Sequence, residues 1–357
     1  MSSFYKLKEN IKLNYNLYRV VRNIYGLGKG LKGFLLNKKG SMEHIKSTLS
    51  LIQKTGQVKG KPIIITIEPT NICNLKCPVC ETGAGILKRR PQYLKYNDFK
   101  IIIDKIYKFT NTIMYYFMGE PFLNKNWVKE VRYAKEKGIP WIETCTNGDY
   151  ANPKDIIESG IDFVSFQIAG MTQGTHQIYR VGSNLERVIK NLIDTIEIKK
   201  RTNSKVHIEV GFIVMKHNEH EIEKFINFAR KIGVDSFNII SPAVRTVEQG
   251  KLFLPKNNKY WIYDRNAFEK GLLKRKVQPK NDCPWIYYSM VIMANGDVVP
   301  CCHDPLGKFV MGNILKQDFD EIWNGEKFRK FREKIHTNQK EISICRLCGG
   351  YGIPWLR

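Results

Sequence analysis

No stretch of this sequence is both long and hydrophobic. Its apolar runs all fall short of the roughly 20 residues that a membrane-spanning helix needs, so no spanning segment is predicted. The first 30 residues carry lysines and tyrosines throughout, with no apolar stretch before a small-residue cleavage site, which argues against a secretory signal. Internal repeats and low-complexity segments are also lacking. These absences favour a folded cytoplasmic protein, and 357 residues suggest one large domain or about two.

Acidic residues are scarce: 34 Asp and Glu stand against 58 Lys and Arg, which gives a net charge of +24. Residues 1–60 contain twelve Lys and Arg but only Glu9 and Glu43 as acids. Apolar and aromatic residues recur there at helical spacing, at Leu7, Ile11, Tyr18, Val21 and Tyr25. We predict a basic helical N-terminal extension (1–60) that either packs on the fold or contacts an anionic membrane through residues 1–30, at the inner membrane face. Nucleic acid is not expected, because no binding motif accompanies the charge.

Nine cysteines occur, and their grouping at metal-ligand spacings suits a reducing cytosol better than a disulfide framework. The first group, Cys73-x3-Cys77-x2-Cys80, directly follows the strand-like run 62–68. Three thiolates can bind three irons of a 4Fe–4S cluster, and the loop offers no fourth cysteine, so one iron stays open to a small molecule. The alternatives are a zinc site or unrelated reduced cysteines, although zinc sites more often use paired C-x2-C units.

Residues 62–241 alternate short apolar runs with longer amphipathic ones. Strands are predicted at 62–68, 112–118, 141–146, 162–168, 206–215 and 236–241. Helices are predicted near 97–109, 126–137, 152–159, 184–200 and 219–232. This alternation is typical of parallel β/α units, and six units are too few for a closed eight-stranded barrel. The predicted fold class is therefore α/β, with a partial (β/α)6 TIM-like barrel over 61–241.

Two further segments are predicted after the barrel. Residues 242–282 form an irregular, basic connector, and residues 283–357 form a small cysteine-bearing domain. Asn295-Gly296 predicts a hairpin turn in this domain, and a helix is predicted near 318–335. In barrels of this kind the chemistry lies at the carboxyl ends of the strands, and the first cysteine group follows the first strand at that end.

The cysteine triad resembles the signature of radical S-adenosylmethionine (SAM) enzymes, in which the open iron chelates the amino and carboxylate groups of SAM. Met118-Gly119-Glu120-Pro121 follows the second strand and is similar to the family's Gly-Gly-Glu element. The resemblance implies that Gly119 and Glu120 engage the methionyl amino group. Asn147, after the third strand, is expected to line the same site.

The same resemblance implies further contacts with SAM. Ser165 and Gln167 share one side of the fourth strand, where they would meet the ribose or the carboxylate. Arg180 resembles the arginine that pairs with the SAM carboxylate, with a surface arginine as the alternative. Asn218 follows the fifth strand as a polar contact. Val79 stands where the family commonly has an aromatic residue against the adenine, and the Asp-Gly that often follows the serine is absent here.

The second cysteine group comprises Cys283, Cys301, Cys302, Cys345 and Cys348. Its pattern resembles the SPASM/twitch auxiliary-cluster domain, whose full version has seven cysteines and two clusters. The resemblance implies one auxiliary 4Fe–4S cluster held by Cys283, Cys301, Cys345 and Cys348, with Cys302 as an alternative ligand or a buried thiol. Four ligands leave no open iron, which favours electron transfer over substrate binding. A zinc ribbon is the alternative.

The implied activity is an anaerobic, oxidoreductase-like reaction that cleaves SAM reductively to a 5′-deoxyadenosyl radical and removes hydrogen from a C–H bond. The auxiliary cluster would then help net oxidation or bond formation. A low-potential electron donor of the flavodoxin or ferredoxin type is expected as a partner. Tyr115, Tyr116, His303 and Asp304 are candidate proton acceptors, with structural roles as the alternative.

The expected substrate is a small polar molecule, a lipid or a lipid-linked glycan. A peptide-modifying maturase is the alternative. It is less favoured, because 60 residues before the barrel are short for a separate peptide-recognition domain of roughly 80–100 residues. A non-catalytic iron–sulfur or zinc protein for binding or electron transfer is the alternative from another class.

Overall fold

The computed structural model describes residues 15–357, with side chains from Leu17 onwards. Its helices are α1 (Tyr15–Leu35), α2 (Ser41–Gln53), α3 (Tyr96–Ile106), α4 (Trp127–Glu136), α5 (Pro153–Ser159), α6 (Gln173–Tyr179), α7 (Leu185–Thr202), α8 (Ile222–Ile232), α9 (Val247–Phe253), α10 (Arg265–Glu269), α11 (Phe319–Trp323) and α12 (Glu326–Asn338). Its strands are β1 (Ile64–Ile67), β2 (Thr112–Met114), β3 (Trp141–Thr146), β4 (Phe163–Ile168), β5 (His207–Ile213), β6 (Ser236–Ile240), β7 (Ser289–Ile292), β8 (Asp297–Val299) and β9 (Gly312–Asn313).

Strands β1 to β6 form a parallel sheet in which each strand lies beside its neighbour in the chain. On β4, Val164, Phe166 and Ile168 are fully buried in the main hydrophobic core. Because side chains alternate along a strand, Ser165 and Gln167 lie on the opposite face. The six predicted strands and the predicted α/β class with a partial barrel are confirmed.

The cysteine-bearing segment is continuous with the barrel sheet. Strand β7 pairs in parallel with β1, with Ile64 opposite Ser289 and Ile67 opposite Ile292. Strands β8 and β9 then extend the sheet in antiparallel fashion, so the order is β6-β5-β4-β3-β2-β1-β7-β8-β9. The sequence indicated a hairpin at this position but not its pairing with the first barrel strand.

The predicted helix near 318–335 is two helices, α11 and α12, and five of their apolar side chains are buried: Phe319, Ile322, Trp323, Phe328 and Phe331. A Cβ at Gly325, between the two helices, would lie 2.2 Å from the carbonyl oxygen of Glu321. The chain therefore turns at this glycine. The connector 242–282 contains the short helices α9 and α10.

The N-terminal helices pack at the amino-terminal ends of the strands. Asn111, which precedes β2, donates from Nδ2 to the carbonyl oxygen of Lys39 at 3.1 Å. The His44 ring on α2 lies 5.1 Å from the ring of Tyr288, which precedes β7. The guanidinium of Arg357 lies 4.7 Å from the ring centroid of Trp141, the first residue of β3. The described part of the N-terminal extension thus lies opposite the carboxyl ends of the strands.

The prediction of membrane contact through residues 1–30 falls partly outside the described residues, since Leu7 and Ile11 precede residue 15. Between residues 15 and 357, no helix combines the length and the apolar composition needed to cross a membrane.

Candidate active site

The first cysteine group lies in the loop after β1, at the carboxyl end of the sheet. Cys73, Cys77 and Cys80 are free thiols that contact one apolar cluster. Burial raises the pKa of the Cys73 thiol to about 12, and the nearby Glu120, Cys77 and Cys80 act in the same direction. Cys73 Sγ also accepts a hydrogen bond from the Leu75 amide at 3.4 Å.

The loop after β2 is fastened to this cysteine loop. Gly119 has a φ of +80°, and a Cβ there would lie 2.5 Å from the Thr70 carbonyl oxygen and 2.6 Å from that of Ile72. Glycine is therefore required by both conformation and space. The Glu120 amide donates to the Ile72 carbonyl oxygen at 2.9 Å. The structure thus brings the predicted Gly119-Glu120 element against the cysteine loop.

The Glu120 carboxylate is buried and held by three donors. It accepts from the Thr146 hydroxyl at 2.7 Å, from the Asn147 amide at 2.8 Å and from the Phe122 amide at 3.3 Å. Burial raises the pKa of this carboxyl group, and these hydrogen bonds oppose the shift. Glu120 therefore joins the loops after β2 and β3 beside the cysteine loop.

Asn147 contacts the cysteine loop directly. Its Nδ2 donates to Asn74 Oδ1 at 2.9 Å and lies 3.9 Å from Cys73 Sγ. Asp149, which the sequence analysis did not single out, accepts from Arg187 Nη2 at 2.7 Å and lies 3.5 Å from Asn74 Nδ2. Asp149 stands only two residues after Asn147 in the sequence, and this proximity to a predicted site residue could have identified it. This network fixes the cysteine loop against α7.

Arg180 lies at the end of α6, with Nη1 4.0 Å from Cys77 Sγ. Its Nε is buried and has no hydrogen-bond partner among residues 17–357. A buried guanidinium nitrogen without a partner fits an anionic ligand beside Cys77, because buried donors are normally satisfied. The surface-arginine alternative does not describe this side chain.

Ser165 and Gln167 face the inside of the barrel together. The Ser165 hydroxyl donates to Glu209 Oε1 at 2.7 Å, and Gln167 Nε2 donates to Ser165 Oγ at 2.7 Å. Glu209, on β5, was not predicted as a site residue. The polar face of β4 is thus part of a network across the barrel interior.

Val79 is buried beside a cavity of about 370 Å³ between the cysteine loop, the connector and the C-terminal segment. The carbonyl oxygen of Val79 accepts a hydrogen bond from Arg245 Nη1. Arg245 also forms an ion pair with Glu81 at 3.2 Å. No motif marks Arg245 in the sequence. His303, a predicted candidate, lines the same cavity.

The predicted SAM contact Asn218 and two candidate proton acceptors, Tyr115 and Asp304, have partners within the fold. Asn218 donates from Nδ2 to the carbonyl oxygens of Ala169 and Ile213, both at 2.9 Å. The fully buried Tyr115 hydroxyl donates to Glu130. Both carboxylate oxygens of Asp304 accept backbone amides at 2.8 Å, from Lys308 and Phe309. We therefore assign Asn218, Tyr115 and Asp304 to the scaffold. Tyr116 remains a candidate, because burial and the nearby Cys145, Glu143 and Cys302 raise its pKa.

Glu68 was missed in the sequence and links the two halves of the site. Its carboxylate receives two bonds from Arg89, at 2.6 and 2.8 Å, and one from the Ala294 amide at 3.0 Å. Arg89 also donates to the Pro305 carbonyl oxygen at 2.8 Å. The buried Glu68 carboxylate, paired with Arg89, thereby joins the cysteine loop to the C-terminal segment.

Four thiols of the second cysteine group line one small cavity of about 20 Å³: Cys283, Cys301, Cys345 and Cys348. The other lining side chains are mainly apolar and include no carboxylate. Cys302 does not line it, and its Sγ lies 3.0 Å from the Tyr351 hydroxyl. The arrangement fits the predicted four-thiol ligand set, whereas the Cys302 thiol contacts Cys301 and Tyr351 without lining the cavity.

The donor sets of both cysteine groups fit iron–sulfur clusters. Within residues 17–357, no three His, Cys, Asp or Glu side chains converge on a position for a single metal ion. In a 4Fe–4S cluster each thiolate binds a separate iron, so the sulfurs do not converge on one point. Three thiols beside an unpartnered arginine nitrogen suit a cluster with bound SAM, and four thiols that line one cavity suit a fully ligated cluster.

Two protein families match the chain. The Radical SAM superfamily matches residues 67–229, and the SPASM family, described as an iron-sulfur cluster-binding domain, matches residues 283–349. These ranges include the seven predicted cluster ligands: Cys73, Cys77, Cys80, Cys283, Cys301, Cys345 and Cys348.

Curated relatives and solved structures are similar over much of the chain. Mycofactocin maturase MftC of Mycolicibacterium smegmatis is 23% identical over 333 residues, which cover 87% of this chain and 81% of the relative. A probable GTP 3′,8-cyclase of Saccharolobus islandicus is 23% identical over 231 residues, covering 63% and 71%. SuiB of Streptococcus suis bound to SAM superposes with a TM-score of 0.62 at 16% identity, covering 92% of this chain and 84% of SuiB.

Three features agree with these matches: the cysteine loop, the close packing of Gly119 against that loop, and the four-thiol cavity. The chain belongs to the radical SAM superfamily, uses SAM and a 4Fe–4S cluster, and carries a C-terminal SPASM domain for auxiliary iron–sulfur binding.

Proposed function

We propose that this protein is a radical SAM maturase that modifies a peptide at an unactivated C–H bond. The observation that carries the proposal is the match to a maturase, MftC, across both domains, over 87% of this chain. SuiB, whose fold is similar with a TM-score of 0.61, has been solved with its precursor peptide SuiA. These relatives favour a peptide over the small molecule or lipid that the sequence analysis expected.

The short N-terminal extension does not conflict with a peptide substrate. Helices α1 and α2 lie at the amino-terminal ends of the strands, far from the cysteine loop at the other ends. The peptide would therefore bind at the mouth of the barrel itself, between the cysteine loop and the SPASM domain.

Some side chains around the first cysteine group bind the cluster and SAM, and others exclude water from the site. When bound, the reduced cluster and SAM supply a 5′-deoxyadenosyl radical that removes a hydrogen atom from the substrate. Cys73, Cys77 and Cys80 hold the cluster, and Arg180 provides positive charge for the SAM carboxylate. Leu75 and Val79 pack in the apolar cluster around these thiols and exclude water from the reacting atoms.

The cavity beside Val79 is the proposed substrate site. Four cationic side chains line it: Arg245, Arg275, Lys308 and Arg346. Its acids are already paired, because Glu81 binds Arg245 and Asp304 accepts two backbone amides. The remaining positive charge suits a substrate carboxylate, such as an acidic side chain or the end of a peptide.

A small phosphorylated molecule is the second candidate substrate. The same cationic lining suits a phosphate as well as a carboxylate. The similarity to a probable GTP 3′,8-cyclase supports this candidate, although it covers only 63% of the chain. A flavodoxin or ferredoxin would deliver the electron in either case.

The first experiment measures 5′-deoxyadenosine after anaerobic cluster reconstitution, reduction and addition of SAM. The Cys73/Cys77/Cys80→Ala variant is the control, and the nucleoside is expected from the native protein alone. Cell extract, separated into peptide and small-molecule fractions, is then added with and without prior protease digestion. Stimulation by the peptide fraction that digestion abolishes supports the maturase. Protease-resistant stimulation by the small-molecule fraction contradicts it and favours the second candidate.

A further inference from the structure

One face of α1 is apolar and exposed. The α1 stripe consists of Val20, Val21, Ile24, Leu31 and Leu35, which recur at spacings that place residues on one side of a helix. Their side chains are between 42% exposed, for Val21, and 83% exposed, for Leu35. The stripe runs about 22 Å along the helix, given a rise of about 1.5 Å per residue. Exposed apolar residues on soluble proteins are usually scattered singly, so a continuous stripe indicates a binding surface.

The orientation of α1 is fixed by its opposite face. Arg22 forms a buried ion pair with Asp282, and Lys29 Nζ donates to the Ile353 carbonyl oxygen at 2.9 Å. A Cβ at Gly26 would lie 2.4 Å from the Ile353 side chain, and a Cβ at Gly33 would lie 2.5 Å from the Leu356 side chain. The helix therefore lies close to the C-terminal segment. A rotation of α1 about its axis that buried the stripe would break these contacts.

The charge around the stripe has one sign. Helix α1 contains no Asp or Glu, and Lys32 is its exposed basic residue, since Arg22 and Lys29 are buried on the opposite face. Beside it, the Trp355 ring is 57% exposed, packs edge-on against Tyr25 at 5.4 Å and lies 3.8 Å from Lys29 Nζ. Tryptophan, tyrosine and lysine beside an apolar strip is the composition of helices at a membrane interface.

We propose that the α1 stripe lies in the surface layer of an anionic phospholipid bilayer, with the helix parallel to the membrane plane. A single convex helix with a straight apolar face matches a flat surface. A two-fold dimer through the stripe would bring together two helices that each carry the exposed Lys32 and no Asp or Glu to pair with it. Since α1 lies at the amino-terminal ends of the strands, this attachment leaves the carboxyl ends, with the cysteine loop, facing away from the lipid.

The test is co-sedimentation of the full-length protein with vesicles of phosphatidylcholine and phosphatidylglycerol in equal parts. The Ile24→Ser/Leu31→Ser/Leu35→Ser variant removes the apolar side chains of the stripe. We expect its vesicle affinity to fall by about tenfold or more, since each apolar side chain buried in the interface adds to partitioning. Added salt and vesicles of phosphatidylcholine alone are both expected to weaken binding of the native protein.

A matched control replaces exposed apolar residues elsewhere: Leu252→Ser/Leu272→Ser/Val277→Ser, whose native side chains are 66%, 62% and 54% exposed. It is expected to bind vesicles as the native protein does, and thermal melting checks that all variants are folded. Native protein that stays in the supernatant with anionic vesicles overturns the proposal, as does a stripe variant that binds normally. Size-exclusion chromatography completes the test: a native dimer that the stripe variant breaks, without vesicle binding, assigns the stripe to a second copy instead.

Discussion

Arg22 and Asp282 form a buried ion pair that joins helix α1 to the residue next to the predicted cluster ligand Cys283. Their side chains are only 6% and 3% exposed. Burying two charges costs free energy that is recovered only while both partners are present. The N-terminal extension is therefore attached to the SPASM domain at the edge of its cysteine cavity.

Removing one partner of this pair is expected to destabilise the fold. Arg22→Met leaves the Asp282 carboxylate buried without its guanidinium and should lower the free energy of unfolding by about 3–5 kcal/mol. The double variant Arg22→Met/Asp282→Leu should lose less than the sum of the two single changes. Urea denaturation measures these values. Lys330→Met breaks the exposed pair with Glu326 on α12 and should leave the midpoint unchanged. Additive losses would contradict direct coupling.

Arg180 is predicted to bind SAM. Arg180→Gln removes the positive charge beside Cys77, and we expect SAM affinity to fall by about 2 kcal/mol, or roughly thirtyfold. Equilibrium dialysis of the reconstituted protein with labelled SAM provides the measurement. Arg132→Gln, on the outer face of α4, is the control with a half-exposed arginine. Unchanged affinity, with iron content equal to that of the native protein, would show that Arg180 serves the fold and not the ligand.

The auxiliary cluster is predicted to depend on Cys345 but not on Cys302. Cys345 lines the four-thiol cavity, whereas Cys302 lies outside it beside Tyr351. Cys345→Ser should remove the iron and the absorbance of the auxiliary cluster, measured in a background that lacks the Cys73 group. Cys302→Ser should retain both. Iron loss in the Cys302 variant would identify this thiol as a ligand.

Arg275 is predicted to bind the substrate. It lines the proposed cavity and forms no ion pair among residues 17–357. Arg275→Gln should raise the amount of active extract fraction needed for half-maximal 5′-deoxyadenosine formation by about tenfold, because a charge-assisted hydrogen bond is lost. Arg265→Gln, whose arginine is exposed on α10, is the control. Equal dose curves for both variants would remove Arg275 from the substrate site.

His44 is predicted to make stability depend on pH. Its ring is fully buried, and its Nε2 lies 3.2 Å from the Pro354 carbonyl oxygen. Burial lowers the pKa of His44 to about 4 from its usual 6.5. Between these values the unfolded chain binds the extra proton, so stability from this group is complete above pH 6.5 and falls as the pH drops towards 4.

This loss reaches about 3 kcal/mol at most. His44→Gln keeps a donor for Pro354 but cannot take up a proton, and its unfolding free energy should fall less between pH 6.5 and 4 than that of the native protein. Urea midpoints across this range provide the test. His220→Gln replaces an exposed histidine and should leave the native slope unchanged. The same pH slope in the His44 variant would contradict the prediction.

The strands and the two cysteine groups could be predicted because their signals are local. Apolar runs such as that of β4 are separated by amphipathic helices, and the cysteine spacings are short. The pairing of β7 with β1 joins residues more than 200 positions apart, so no local pattern predicts it.

The roles of polar residues were predicted least well, because each role depends on the hydrogen-bond partner that the fold places beside the side chain. Asn218 and Tyr115 match the expected site positions, yet their polar atoms bind the carbonyl oxygens of Ala169 and Ile213 and the carboxylate of Glu130. Arg245 enters the site from an irregular segment, and only its contact with the Val79 carbonyl oxygen identifies it.

The parallel pairing of β1 with β7 also bears on electron tunnelling. The cysteine loop follows β1, and Cys301 follows the hairpin that begins with β7, so the β1–β7 ladder connects the segments that carry the two cysteine groups. Tunnelling rates fall steeply with distance, and a ladder of this kind holds the distance constant. Electron exchange between the two clusters is therefore expected to proceed without a domain movement and to be insensitive to the viscosity of the solvent.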